Sequence, residues 1–350
     1  MSGVSLERGR AAEAEITLNG EWTSDVHVLV VFARQKGAMM KAARIYTFGP
    51  PSVMVIDELP RPTPGHGEVL VRVAAAGVGP WDALIREHKS VVQTPLPLIL
   101  GSDLSGVIEA VGSGVSAFQT GDDIYGVTNP DFCGAYTEYA IASAAMVARK
   151  PQGLSHVEAA SVPVVAVTAW QMLFDYAQAK PGQTVLIHGA AGNVGAYAVQ
   201  LASQAGLQVF ATASSADAPD VRSLGTTTVI DYKTTGFEEA VPPINVVIDT
   251  VGGYTRGRSF GIIKPGGILV SVVSEPLPER HQSNGVRAVF FLVEVTTARL
   301  DTITDLFDRG KLTTRVGTVL PLEQARTAHE MLGGAPHKRG KIVLSVAASA

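Results

Sequence analysis

The 350-residue chain is nearly without cysteine, since Cys133 is its single thiol. One cysteine cannot form a disulfide within the chain or supply a zinc site built from several thiolates. This composition is typical of proteins in a reducing compartment, where disulfides are rare. We therefore expect a cytoplasmic protein.

Long apolar runs and long basic runs are also missing from the sequence. No stretch reaches the roughly 18 to 20 apolar residues that a membrane span requires. The 28 Lys and Arg residues are balanced by 32 Asp and Glu residues, for a net charge of -4. No basic cluster suits a nucleic-acid backbone. These absences exclude a membrane or a nucleic acid as the main partner and favour a small-molecule ligand.

The chain is rich instead in glycine, with 36 residues, and in hydrophobic residues, which make up 46% of it. Single hydrophobic cores stop growing at roughly 250 to 300 residues, so this length predicts two domains. Residues 1–38 precede the first regular pattern, and we interpret them as an N-terminal extension.

The periodicity of apolar residues changes twice along the chain. Short alternating stretches such as "VLVRVAAAGV" predict a β domain over 39–160. Over 161–298, nearly continuous apolar strands alternate with helical segments, which indicates a parallel sheet covered on both faces. The last strand, "GKIVLSV", resembles the first region, so we expect 299–350 to return to it. The fold class is therefore α/β.

A glycine-rich turn lies where the first strand of the parallel sheet enters its helix, in "LIHGAAGNVGAYAVQLA". Glycines let a backbone approach a pyrophosphate closely, and a helix N-terminus presents free N–H groups to it. The spacing G-x-x-G-x-x-G is a variant of the dinucleotide fingerprint, although a turn shaped only for packing is the alternative. The predicted contacts come from Gly189, Ala191, Gly192, Asn193, Val194 and Gly195.

The end of the second strand of this sheet predicts which dinucleotide binds. An NAD site usually has Asp or Glu there, whereas this chain has Ser214 and Ser215. Two hydroxyl groups and no carboxylate at the strand end favour NADPH. Asp217, just beyond, weakens this prediction, and Arg222 is either a phosphate ligand or a solvated helix residue.

Several motifs occur in an order that resembles the medium-chain dehydrogenase/reductases, in the branch of zinc-independent quinone oxidoreductases related to zeta-crystallin. They are "GSDLSGVIEAVGSGV", "GDDIYGV", "GAAGNVG", "ATASS", "VIDY", "DTVGG", "KPGGILVSV" and "RGKIVL". The resemblance covers residues 40 to 346. It implies a GroES-like catalytic domain (39–160 and 299–350), a Rossmann NADP-binding domain (161–298), and a homodimer or homotetramer.

The resemblance also implies further cofactor-binding residues, each with a structural alternative. Thr168 matches a threonine near the nicotinamide, but its hydroxyl could instead bond back along its helix. Lys341 matches a position near the cofactor, but could be a surface lysine. Tyr232 matches a tyrosine that packs on or hydrogen-bonds the adenosine 2′-phosphate, and an ordinary strand-end aromatic is the alternative. The residues implied to line the cofactor cleft, with a hydrophobic strand end as the alternative, are Val251, Val272 and Phe291.

Zinc-dependent relatives carry Cys, His and Glu where the matching motifs here have Gly79, Ser102 and Asp103. Since a catalytic zinc needs three protein ligands of the N, S or O type, the resemblance implies a site without metal. Gly79, Trp81 and Asp82 are then expected at the acceptor pocket. Trp81 could instead fill the core, and Asp82 could cap a helix.

The resulting hypothesis is an NADPH-dependent reductase that transfers a hydride to a quinone or an α,β-unsaturated carbonyl compound without zinc. Enoyl-thioester reduction is an alternative, disfavoured because "IREHKSVVQ" (85–93) lacks the tyrosine acid of those relatives. His88 in this segment could donate a proton, although a surface role is favoured. A non-catalytic NADPH-binding protein is the second alternative. We expect His188 to be structural and Cys133 to be unreactive.

Overall fold

A computed structural model describes residues 38–273 and 285–346 of the chain. The predicted N-terminal extension lies outside the described residues, apart from residue 38.

The first part of the chain lies in two sheets, whose strand pairings are antiparallel except for the parallel pair formed by β15 (Val316–Pro321) and β16 (Lys341–Ser345) from the end of the chain. A three-stranded sheet has the order β2-β1-β4, and a seven-stranded sheet has the order β15-β16-β3-β5-β6-β8, with β7 also pairing with β3. The short helix α1 (Pro80–Arg86) interrupts the otherwise β-rich region. The strands of this region are β1 (Met39–Ile45), β2 (Met54–Pro60), β3 (Glu68–Val78), β4 (Leu98–Ile99), β5 (Asp103–Val111), β6 (Asp123–Val127), β7 (Tyr139–Ser143) and β8 (Val147–Arg149).

The end of the chain belongs to the same seven-stranded sheet. Strand β16 (Lys341–Ser345) pairs antiparallel with β3, with Ile342 opposite Val78, and β15 (Val316–Pro321) adds to its other side. This pairing agrees with the sequence expectation that the last strand returns to the first region. It also brings Lys341 next to the loop that follows β3. The exact boundaries at 160/161 and 298/299 stay a prediction.

A helical segment connects the two kinds of sheet. Helix α2 (His156–Ala159) begins at a capping box made by Ser155 and Glu158, an arrangement that satisfies two otherwise free N–H groups. Helix α3 (Pro163–Trp170) has its proline in the first turn, where no N–H partner is needed. A π-helix continues from it over Gln171–Tyr176.

The middle of the chain forms a six-stranded sheet of order β11-β10-β9-β12-β13-β14, in which every pairing is parallel. The predicted α/β class with a parallel, Rossmann-type sheet is confirmed. Its elements are β9 (Thr184–His188), α4 (Asn193–Gln204), β10 (Gln208–Ala213), α5 (Ala218–Ser223), β11 (Thr228–Asp231), α6 (Phe237–Ala240), β12 (Ile244–Asp249), α7 (Gly253–Ser259), β13 (Ile263–Ser271) and β14 (Arg287–Phe290).

In this order the chain adds β10 and β11 on one side of β9 and then β12, β13 and β14 on the other, so the order of the strands reverses between β9 and its neighbour β12. Open parallel sheets bind ligands at the carboxyl ends of the strands beside such a switch. The residues at those two ends are His188 and Asp249, which are paired in the sheet. The glycine-rich turn follows His188 directly. Two helices complete the described chain, α8 (Thr297–Asp308) and α9 (Ala325–Leu332).

Candidate functional site

The glycine-rich turn between β9 and α4 leaves no room for side chains at two of its positions. Gly189 adopts φ +70°, and a Cβ atom there would lie 2.5 Å from Oγ1 of Thr250. A Cβ atom on Gly195 would lie 2.2 Å from the carbonyl oxygen of Gly189. The turn therefore holds the start of α4 directly against the end of β9.

The N-terminus of α4 is open to a ligand. Gly192 is its N-cap, and no side chain caps the helix. The first-turn N–H groups of Asn193, Val194 and Gly195 have no partners within a helix. Ala191, Gly192 and Asn193 border a cavity of about 260 Å³. An anion such as a pyrophosphate fits this chemistry, because the N–H groups and the helix dipole both favour negative charge.

The end of β10 differs from the sequence expectation in its electrostatics. Ser214 is buried, and its hydroxyl donates to Oδ2 of Asp217 at 2.7 Å. Ser215 hydrogen-bonds the Asp231 carboxylate, which contributes to the lowered pKa of Asp231; the largest cause is the backbone N–H of Lys233. The strand end thus lacks a carboxylate in sequence but has two beside it in space. Asp217, which the sequence analysis noted, and Asp231 are thus the carboxylate partners of the two serines, and the preference for NADPH stays a prediction.

The other residues implied to line the cofactor cleft differ in exposure. Tyr232 and Val251 are exposed at the edge of the sheet, at 60% and 49%, and Val272 is partly buried. Phe291 is buried and stacks on Tyr176, with 4.2 Å between ring centroids. The Thr168 hydroxyl donates to the carbonyl oxygen of Val164 at 2.7 Å, which is the helix-internal bond named as its alternative. Arg222 is exposed on α5.

Lys341 is not a surface lysine. Its side chain is 2% exposed, and its Nζ atom donates to Oδ2 of Asp103 at 2.9 Å. Oδ1 of Asp103 accepts the backbone N–H of Val164 at 3.0 Å, so both carboxylate oxygens have partners. Burial raises the pKa of Asp103, and the neighbouring Lys341 opposes that shift. Lys341 also borders the cavity at the start of α4.

Trp81 fills the space beside Gly79. A Cβ atom on Gly79 would lie 2.2 to 2.4 Å from three atoms of the Trp81 ring. The indole Nε1 donates to Oγ of Ser102 at 2.9 Å, and the Lys341 ammonium lies 4.2 Å from the ring centroid. A cation at this distance is attracted by the ring face. The indole is therefore held by its hydrogen bond to Ser102 and by the Lys341 ammonium, and it fills the space that a side chain at residue 79 would need.

Asp82 connects the acceptor motif to a distant tyrosine. Its Oδ2 accepts the Gly79 N–H and the Tyr136 hydroxyl, both at 2.8 Å, and it caps α1 as the sequence suggested. Both side chains are fully buried. Burial raises the pKa of Asp82 to about 7, and the Gly79 N–H and Lys341 oppose this shift. The Asp82 Oδ1 atom has no hydrogen-bond partner among the described residues.

Three residues with possible reactivity lie in surroundings that fit structural roles. His188 is buried between Thr212 and Ser259, and burial lowers its pKa to about 4. Burial raises the pKa of the Cys133 thiol to about 11, which keeps it protonated. His88 is exposed and packs on Phe48, with 4.3 Å between ring centroids.

The residues at the zinc-ligand positions of the resemblance have other partners. The Ser102 hydroxyl accepts a hydrogen bond from Trp81, the Asp103 carboxylate pairs with Lys341, and Gly79 has no side chain. Within 38–273 and 285–346, no group of three or more His, Cys, Asp or Glu side chains is arranged to hold a metal ion. Within the same ranges, no helix is long and apolar enough to cross a membrane.

Sequence reasoning missed two parts of the site. Tyr136 lies 54 residues from Asp82, and no local pattern signals their contact. Arg339, which forms an ion pair with Asp217, was also overlooked. The signal for Arg339 was its place two residues before Lys341, in the same "RGKIVL" motif.

The sequence and the fold resemble those of known proteins. Residues 65–152 match the alcohol dehydrogenase GroES-like domain, and residues 224–344 match the zinc-binding dehydrogenase family. A mitochondrial protein of Arthroderma benhamiae, described as a probable zinc-binding oxidoreductase, is 31% identical over 85% of this chain and 94% of its own. The quinone oxidoreductase of Sus scrofa is 30% identical over 87% of this chain and 98% of its own.

A solved structure, the quinone oxidoreductase from Coxiella burnetii, superimposes with a TM-score of 0.81. It is 34% identical and covers 89% of this chain and 100% of its own. The chain is thus an oxidoreductase that belongs to the medium-chain dehydrogenase/reductase superfamily, in its quinone oxidoreductase-like branch.

Proposed function

We propose that this oxidoreductase uses NADPH to reduce a quinone or an α,β-unsaturated carbonyl compound without zinc. The observation that carries the proposal concerns two residues at the zinc-ligand positions of the resemblance. Ser102 hydrogen-bonds Trp81 and Asp103 pairs with Lys341, next to an open helix N-terminus. Quinone oxidoreductases among the relatives support the acceptor class.

The cofactor is assigned from the residues around the start of α4 and the end of β10. The first-turn N–H groups after Gly192 would hold the pyrophosphate. Ser214 and Ser215 would hold the adenosine end, with Tyr232 exposed nearby on the next strand. Bound NADPH would supply the hydride from its nicotinamide ring. Thr168, Val251, Val272 and Phe291 remain proposed walls of the cleft.

A site that works without zinc, as we propose, suits some acceptors better than others. Alcohol oxidation benefits from a Lewis acid that stabilises an alkoxide. Quinones and enones are already electrophilic, so positioning and exclusion of water supply much of what catalysis requires. The buried Lys341 provides a fixed positive charge near the acceptor motif, and Trp81 provides a flat apolar surface. Gly79, Trp81 and Asp82 remain the proposed acceptor pocket.

The test is NADPH and NADH oxidation with a metal chelator present, against an ortho-quinone, a para-quinone, a simple enone and an enoyl thioester. The proposal predicts chelator-resistant turnover of a quinone or the enone, with NADPH preferred. Faster turnover of the enoyl thioester than of the quinones and the enone would show that the acceptor is an enoyl thioester instead. Tight NADPH binding without turnover of any acceptor would favour the non-catalytic alternative.

Two further properties stay proposals. We infer a cytoplasmic location from the cysteine content, whereas two of the relatives are described as mitochondrial. A homodimer or homotetramer is inferred from the resemblance alone, and sedimentation velocity would test it.

A further inference from the structure

Two arginines reach from the C-terminal segment to the neighbourhood of α5. Arg339, just before β16, forms an ion pair with Oδ1 of Asp217. Arg315, just before β15, lies 2.7 Å from Oδ2 of Asp220. Both arginines border the cavity at the start of α4, together with Gly192. The seven-stranded sheet thus contributes two cations to a cavity formed largely by the parallel-sheet region.

The Asp217 carboxylate is engaged on both oxygens. Its Oδ2 accepts the Ser214 hydroxyl at 2.7 Å, while Arg339 lies against its Oδ1. Asp217 is 9% exposed. Arg339 is therefore connected, through one carboxylate, to the serine at the proposed adenosine end of the cofactor site.

A nearly buried carboxylate at this place should select against NADPH. Like charges at short range repel strongly where water is largely excluded, and a carboxylate beside the second strand is the feature that recognises the ribose hydroxyl of NAD. An arginine paired with the same carboxylate neutralises its charge. Its planar guanidinium can also donate to phosphate oxygens with its remaining N–H groups.

We propose that Asp217 and Arg339 form a pair that determines cofactor specificity. Arg339 neutralises Asp217 and donates to the adenosine 2′-phosphate, so that NADPH is accepted despite the carboxylate. Asp217 and Ser214 in turn hold the guanidinium in place. This inference rests on the proposed function, since it assumes that the dinucleotide lies across Gly192 and Ser214.

The experiment measures dissociation constants by calorimetry, without any acceptor, for NADPH, NADH, and the fragments 2′-phospho-ADP-ribose and ADP-ribose. The variants are Arg339→Ala, Arg339→Lys, and Arg339→Ala combined with Asp217→Asn. Arg315→Ala is the matched control, since it removes an arginine from the same cavity whose partner, Asp220, lies one turn farther on. A thermal melt of each variant establishes that it is folded.

Arg339→Ala should weaken NADPH and 2′-phospho-ADP-ribose by about 10- to 100-fold, as expected for loss of a charged hydrogen-bonding partner. NADH and ADP-ribose should change by less than about threefold. The NADPH affinity of Arg339→Lys should lie between those of the wild type and Arg339→Ala, because lysine keeps the charge without the planar guanidinium. Adding Asp217→Asn should restore part of the NADPH affinity, because it removes the unmasked carboxylate. Arg315→Ala should leave the NADPH-to-NADH ratio unchanged.

The same measurements separate the failure of this inference from that of the proposed function. If Arg339→Ala weakens the binding of NADPH and NADH by the same factor, or weakens neither, the specificity pair is overturned. NADPH binding by the wild type would still stand in that case. A wild type that binds neither dinucleotide would overturn the proposed function, and the pair with it.

Discussion

The Nζ atom of Lys341 lies 2.9 Å from Oδ2 of Asp103, and the two side chains are only 2% and 0% exposed. This ion pair joins the start of β16 to the start of β5, two strands separated by 238 residues in sequence. The same ammonium lies over the Trp81 ring. One buried contact therefore connects the sheet, the acceptor motif and the cavity at α4.

Breaking this pair from one side should be costly. Lys341→Met leaves an uncompensated carboxylate, and Asp103→Asn leaves an uncompensated ammonium, so each should lower the free energy of unfolding by about 3 to 5 kcal/mol. The double variant should lose less than the sum of the two. Urea denaturation measures all three. The exposed pair Lys41–Glu323, also 2.9 Å apart, is the control, and its removal should have little effect. Additive losses from the two buried variants would contradict the coupling.

Substitutions of Gly79 and Trp81 should have non-additive effects on the free energy of unfolding. Gly79→Ala forces the indole to move, because a Cβ atom would lie 2.2 Å from it. Overpacking of this kind typically costs about 1 to 3 kcal/mol. In a Trp81→Val background the same alanine should cost almost nothing, which a double-mutant cycle detects.

The control for this cycle is Gly153→Ala, since a Cβ atom there would meet no atom within 4 Å. An alanine at residue 79 that costs the same with and without the indole would show that the two positions are independent.

His188 should make the fold sensitive to acid. Its pKa is lowered from 6.5 to about 4, so the folded state holds it neutral while the unfolded chain takes up a proton. Its contribution to stability is present above pH 6.5 and is lost as the pH falls towards 4, amounting to roughly 3 kcal/mol. His188→Gln should lose less stability than the wild type between pH 7 and pH 4.5 in urea titrations. An equal loss would indicate that other groups cause the acid sensitivity, and the exposed His337→Gln serves as control.

Asp82 should make the free energy of unfolding fall as the pH rises, which is opposite to the effect of His188 over much of the same pH range. Its pKa is raised from 3.8 to about 7, so the folded state favours the protonated acid. The folded state is penalised as the pH rises from 4 to 7, and the penalty is complete above 7, on the order of 4 kcal/mol. Asp82→Asn should therefore gain stability relative to the wild type at pH 8 compared with pH 5. A difference that does not vary with pH would show that Asp82 is ionised throughout.

The sequence predicted the parts of this structure that depend on local periodicity. Strands such as β9, with five consecutive buried residues, can only lie inside a sheet covered on both faces, and their apolar runs indicate this directly. Gly189 and Gly195 were recognisable because close approach of the backbone tolerates no Cβ atom. The acceptor motif around Trp81 was located by resemblance.

The rest depends on contacts between distant residues. Ser214 and Ser215 suggested a strand end without carboxylates, whereas the fold places Asp217 and Asp231 against them. Whether Lys341 was buried could not be predicted, because only the antiparallel pairing of β16 with β3 carries it inward. Electrostatic neighbours of this kind follow from sheet topology and not from spacing along the chain.

The most direct test of the central claim is the single-turnover oxidation of bound NADPH by a quinone in chelator-treated protein. The cofactor would carry either hydrogen or deuterium at the transferred C4 position. Direct hydride transfer without a metal predicts that oxidation proceeds and that the deuterated cofactor reacts more slowly. Oxidation that requires added zinc, or equal rates for the two isotopes, would contradict the account.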